Sequence, residues 1–144
     1  MKRGTEKGLK GEIRDLVRRA LAEDLGLRHC SRGRRPGDVT TELFVPKTAR
    51  VTGRIVIKAQ GVLCGTQAAV EAFKQADPSC RIRVMARDGA RVRPGQAILE
   101  VSGGRGILTA ERTALNILQH LSGVATATAE YAGQVKGTRA KIFD

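Results

Sequence analysis

One stretch constrains this chain more than any other: Ile107–Gly137, ILTAERTALNILQHLSGVATATAEYAGQVKG, which holds no proline. Apolar or small residues recur at Leu108, Leu115, Leu118, Leu121, Ala125, Ala129 and Ala132. Ala114, Ile117, Val124, Tyr131 and Val135 lie beside them, which is helical spacing with a wide apolar arc. Thr109 is the expected N-cap, Glu111 the acid of the first turn, and Lys136-Gly137 the basic last turn and glycine stop. The polar row Arg112, Asn116, Gln119, Gly123, Thr126, Glu130, Gln134 runs along the other side. Gly123 costs about 1 kcal/mol relative to Ala inside a helix, so close backbone packing or a kink is expected there. The apolar arc exceeds what one small sheet covers, so an exposed patch around Leu115, Leu118, Leu121 and Val124 is expected, with self-association.

The rest of the chain reads as short elements. Leu9, Ile13, Leu16, Val17, Ala20, Leu21 and Leu25 share one helical face, and Gly26 stops that first helix after a solvated leader, residues 1–8. LRHCSRGRRPG then forms an arginine-rich loop; His29-Cys30 lacks the second ligand pair of a metal site, so a surface loop is preferred. In GDVTTELFVP, Asp38, Thr40 and Thr41 suit a hydrogen-bonded turn onto a short apolar segment, Leu43–Val45. Strands are expected over 51–59 and 80–87 from their alternation, the second with Cys80, Ile82, Val84 and Ala86 inward, and over 96–102 with Ala97, Leu99 and Val101 inward. Asp88-Gly89 and Pro94-Gly95 are turns, GVLCG is a glycine-bounded apolar turn, and a helix spans 66–76 until Asp77-Pro78. Turns this short imply one mainly antiparallel sheet with the 66–76 helix on one face. SGGRG, before the long helix, is either a hinge or a phosphate cradle, and the hinge is preferred because a Gly-Lys-Ser/Thr is missing.

Composition narrows the function classes. A chain of 144 residues builds one core with appendages. No apolar run approaches a bilayer span, and MKRGTEKGLK has no apolar segment of a secretory signal. Cys30, Cys64 and Cys80 form neither a disulfide framework nor a metal box, which fits a cytoplasmic protein. The net charge of +12 is split evenly between residues 1–37 and the remainder. Such a field attracts anions: nucleic acid, or small phosphorylated or carboxylated substrates. Aromatics make up only 3% of residues, which leaves little for bases to stack on and argues against nucleic acid. No nucleophile–base pair and no metal-ligand spacing is present. The candidate binding groups are on the long helix: Arg112, with Asn116 and His120 one and two turns on, facing a carboxylate or phosphate.

Taken together, EDLG (Glu23–Gly26), GDVTTELFVP, GVLCG, DGARVRPGQAILEVSG and TAERTALNILQHLSGVATATAEYA resemble quinolinate phosphoribosyltransferase from about residue 9 to Asp144. ERTALN followed by LSGVAT is the specific block; the insertion after Gly26 is the main departure. The resemblance implies an α+β fold: a mainly antiparallel sheet sandwich with helices, hammerhead-like, over 9–106. A long linking helix and the first strand of an otherwise absent α/β barrel would follow over 107–144, the strand being Lys141–Asp144. It implies transfer of phosphoribosyl from phosphoribosyl pyrophosphate to quinolinate, with Mg²⁺, giving nicotinate mononucleotide in NAD synthesis. The partner it implies is a second copy, in a homodimer or higher oligomer, with this domain covering the other subunit's barrel mouth. Arg112 would reach across to a quinolinate carboxylate, with Asn116 and His120 as support. No catalytic residue and no metal ligand would lie in this chain, which alone would be inactive. The competing reading is a stand-alone anion- or nucleic-acid-binding module derived from this domain, without catalysis.

Overall fold

A computed structural model describes residues 2–27 and 37–142, with side-chain detail from Gly8 onward. The expectations for His29, Cys30 and the arginine-rich loop fall outside the described residues, as do Phe143 and Asp144. Lys141 and Ile142, the start of the expected barrel strand, are not in a strand.

Three strands form the main sheet: β1 (Val51–Val56), β3 (Arg81–Val84) and β5 (Ala97–Gly103), in the order β1-β5-β3. Both pairings are antiparallel, with Thr52 opposite Ser102, Arg54 opposite Glu100 and Arg83 opposite Glu100. The alternation read from the sequence is therefore that of a sheet covered on one face. Thr52 and Ser102 share a hydroxyl hydrogen bond of 2.8 Å on the open face, where Arg54 Nε also meets Glu100 at 2.6 Å. Val84, expected inward, is exposed because β3 is an edge strand. A second antiparallel pair joins β2 (Gly61–Val62) to β4 (Arg91–Val92), so GVLCG begins as a strand and not only as a turn. Gly89 and Gly95 both take positive φ, at 85° and 82°, and make the two turns predicted at Asp88-Gly89 and Pro94-Gly95.

Helices cover the inner face. α3 (Thr66–Ala76) matches its predicted bounds and buries Ala68, Ala69, Ala72 and Phe73. Its small residues allow close approach of α4 (Gly106–Gln134), whose Ile107, Ala110, Ala114 and Leu118 complete the core with Leu99 and Val101 of β5. α1 (Lys2–Asp24) packs against both α3 and α4, with Val17 and Leu21 buried in the core. It starts at Lys2, within the stretch read as a leader: no proline precedes Leu9, and a helix docked by its second half propagates backwards at little cost. Leu9 and Leu16, expected on its buried face, are exposed.

Two local readings are corrected. GDVTTELF is a short helix, α2 (Val39–Phe44), N-capped by Asp38, whose Oδ1 accepts the Thr41 N–H at 3.0 Å. Leu43 and Phe44 are 72% and 79% exposed, so the apolar segment is presented outward and not buried. α4 starts earlier than Thr109, because β5 turns into it directly through Gly103-Gly104. Its N-cap is Arg105, which makes no capping hydrogen bond with its side chain; Glu111 sits beyond the first turn. At the other end Gln134 is the last helical residue, and Lys136 and Gly137 (φ 87°) lie just past it. Nothing comes within 4 Å of a Cβ placed on Gly123, so no close packing occurs there among the described residues. Past Leu118 the helix leaves the core: Leu121, Val124 and Tyr131 are exposed, whereas Leu115 is half-buried and Leu118 buried. The expected apolar patch is therefore shifted towards the C-terminal half of the helix.

Candidate functional site

The residues bearing most on binding meet where three helix ends converge on one face of α4. Asp24 is the last residue of α1, Asp38 caps α2, and Thr109, Arg112 and Thr113 lie on successive turns of α4. Arg112 Nη1 donates to Asp24 Oδ1 at 3.3 Å. The Thr113 hydroxyl donates to the other oxygen of the same carboxylate, also at 3.3 Å. The Thr109 hydroxyl donates to Asp38 Oδ2 at 3.0 Å. Leu25 O accepts the Gly37 N–H at 3.1 Å, which brings the ends of α1 and α2 together beside Arg112.

The electrostatics follow from this geometry. Burial on its own would raise the Asp38 carboxyl. Hydrogen bonds from Thr41 and Thr109, with the Arg112 charge nearby, outweigh it and hold the group below the ordinary carboxylate range. Arg112 is 76% exposed on its side chain while Asp24 is 24% exposed. The guanidinium is therefore offered to solvent from a largely covered acid. Its fork can hold a carboxylate at two points.

Asn116 and His120 are exposed on the same side of α4, roughly 6 and 12 Å further along at 1.5 Å per residue. The structure does not draw them into the cluster. Sequence reading singled out Arg112, took Asp38 and Thr109 only as turn or capping residues, and missed Asp24 and Thr113. The available signal was the acid in each of EDLG and GDVTT, on either side of one loop.

SGGRG forms a packed junction in which the place a cradle would offer an anion is taken. The Gly104 N–H donates to Asp77 Oδ2 at 2.6 Å, so the chain's own carboxylate occupies the place of an anion. Asp77 is held below the ordinary carboxylate range by the Ser79 hydroxyl first, against burial, and then by the Gly104 and Ser79 N–H groups and the Arg50 charge. Asp88 does the same for α3, accepting from Gly65 N (3.1 Å) and Thr66 N (2.9 Å). A cleft of about 700 Å³ between α2 and the start of α4 includes Asp38, Lys47, Arg50, Arg105 and Thr109. A larger groove, about 890 Å³ between α1 and α3, does not include Arg112. Among the described residues no group of three or more His, Cys, Asp or Glu could hold a metal ion. No helix of the described residues is long and apolar enough to cross a membrane.

Comparison with known proteins agrees with the fold. Residues 38–122 match the family described as quinolinate phosphoribosyl transferase, N-terminal domain. Nicotinate-nucleotide pyrophosphorylase [carboxylating] of Mycobacterium leprae is 43% identical over 136 residues, covering 91% of this chain and 44% of the relative. The chloroplastic protein of the same description from Oryza sativa subsp. japonica is 34% identical over 118 residues, 81% of this chain and 30% of the relative. The crystal structure of NadC from Streptococcus pyogenes superposes with a TM-score of 0.81 at 33% identity, covering 92% of this chain and 45% of that one. The chain thus spans less than half the length of these relatives. An antiparallel sheet backed by helices, a long α4 and a match over residues 38–122 place this chain in the quinolinate phosphoribosyl transferase family, as its N-terminal domain and the helix that follows.

Proposed function

We propose that this chain serves NAD biosynthesis as the N-terminal part of a quinolinate phosphoribosyltransferase. The whole enzyme transfers phosphoribosyl from phosphoribosyl pyrophosphate to quinolinate, with loss of CO₂ and pyrophosphate, to give nicotinate mononucleotide. In this reading the chain's task is binding. Arg112 meets a quinolinate carboxylate in the active site of a second subunit, so the working unit is a homodimer or a higher oligomer. Asn116 and His120 extend the same face. In this reading Mg²⁺ would enter with phosphoribosyl pyrophosphate, and no residue of this chain is assigned to it.

The observation that carries this reading is Arg112 itself, an exposed guanidinium fixed on α4 within the matched region. Two carboxylates leaving water need cationic hydrogen-bond partners, and a planar fork gives a two-point contact that Lys does not copy. A charge-assisted bond contributes roughly 1.5–3 kcal/mol. In the enzyme completed by its barrel, Arg112→Ala should therefore lower kcat/KM by about ten- to a few hundred-fold. Arg112→Lys should recover only part of it. Heterodimers of Arg112→Ala subunits with barrel-disabled subunits should regain activity, because one of their two sites has both halves intact. Unchanged kinetics in Arg112→Ala would remove the contact, and no rescue in a verified heterodimer would remove its crossing between subunits.

A further inference from the structure

The surroundings of Arg112 pose a problem for a site that takes an acidic ligand. Among the described residues, two carboxylates interact with it: Asp24 in direct contact and Asp38 close enough to feel its charge. The formal charge of the three groups together is negative, which by itself opposes an incoming dianion. Acids in that position need another role. Asp24 is not a free surface partner. It ends a helix anchored in the core by Val17 and Leu21, and Thr113, the neighbour of Arg112 on α4, grips its second oxygen. The carboxylate is thus fixed to both α1 and α4, and it takes only the Nη1 corner of the guanidinium. Among the described residues the remaining N–H groups of Arg112 meet no acceptor. A free arginine side chain carries about 2 kcal/mol of rotamer entropy that binding would have to remove.

We infer that Asp24 is the positioning residue of Arg112: held by Thr113, it fixes one corner of the guanidinium and leaves the rest of the fork for the ligand carboxylate. This rests on Arg112 being the carboxylate contact. Charge and positioning predict opposite signs, which makes the inference testable. Removing a negative charge beside an anion site should tighten binding if charge alone matters; loss of positioning should weaken it.

Two measurements test it. In the 144-residue chain, the Arg112 Nε–Hε resonance should show slowed motion by NMR relaxation, lost in Asp24→Asn and kept in Asp24→Glu. In the completed enzyme, Asp24→Asn should raise KM for quinolinate about two- to fivefold, the range for a partly exposed ion pair, with little change in kcat. Asp24→Glu should recover part of the loss. In an Arg112→Ala background Asp24→Asn should add nothing, because the acid acts only through the arginine. An equal loss in both backgrounds would make Asp24 merely structural, and tighter or unchanged KM would overturn positioning while Arg112→Ala still impaired the enzyme. If Arg112→Ala were itself neutral, the carboxylate contact would fall, and the inference with it; the NMR result would then report only a structural ion pair.

Discussion

Gly106→Ala separates a hinge from a packed junction at the start of α4. A Cβ built on Gly106 lies 2.5 Å from Ala76 O, 3.1 Å from Ala76 C and 3.2 Å from Asp77 Cβ. The obstruction is backbone and cannot swing aside. That backbone is also pinned, since Asp77 N donates to Phe73 O at 2.8 Å and Asp77 Oδ2 holds Gly104 N at 2.6 Å. Overpacking of this kind costs about 1–3 kcal/mol. Against it stands a gain of about 0.4–1 kcal/mol, because Ala has less freedom to lose on folding than Gly. The loss wins, at about 1–2 kcal/mol net, which lowers the urea midpoint by roughly 0.5–1 M at an unchanged slope. Gly123→Ala is the matched control: its Cβ meets nothing within 4 Å, so it should gain about 0.5–1 kcal/mol. Urea unfolding followed by circular dichroism reads both. A Gly106→Ala midpoint equal to or above wild type would refute the packed junction and restore the hinge.

Further outcomes are expected. Thr126→Val removes the acceptor of the Val62 N–H (2.9 Å), and should cost about 1 kcal/mol and speed amide exchange at Val62. Asp38, with its folded pKa depressed, contributes stability that is full above the unfolded value of about 3.9 and is lost as pH falls through the lower folded value. Asp38→Asn, which still caps α2, should therefore lose stability at neutral pH and show a flatter acid limb; parallel limbs would refute the assignment. Burial raises the Cys80 thiol despite the Lys74 charge, and the side chain is buried. In a Cys30→Ser background a maleimide should label half-buried Cys64 first and Cys80 only on unfolding; equal rates would contradict the packing.

Elements with their own periodicity were legible in the sequence. α3 and the three main strands each carry enough residues for alternation or helical spacing to show, and Asp88-Gly89 and Pro94-Gly95 punctuate them. α2 was missed because Leu43 and Phe44 look like core residues, although a six-residue helix capped by Asp38 turns them outward. The β2–β4 pair has two residues on each side, too few for any pattern. Thr109 matched the N-cap rule, but its hydroxyl is committed to Asp38 instead. Arg112 was a candidate from its place in a polar row on a helix, and the resemblance of ERTALN gave it a role. Its partners did not, because a contact between positions 24 and 112 leaves no local trace; only the fold brings them together.

These long separations also set an order of events during synthesis. Asp24 and Arg112 are 88 positions apart, Thr113 is 89 from Asp24, and Thr109 is 71 from Asp38. At about 5–20 residues per second, roughly 4–18 s pass between translation of Asp24 and of its partner. Within that interval α1 can settle on α3, and the sheet can close through β5, because all their residues precede α4. A nascent chain halted before Ile107 lacks the helix that packs on α3, and its Asp24 has neither Arg112 nor Thr113 to receive it. The arginine site thus cannot assemble before α4 is made, and emergence of ERTALN from the ribosome is the moment at which it becomes possible.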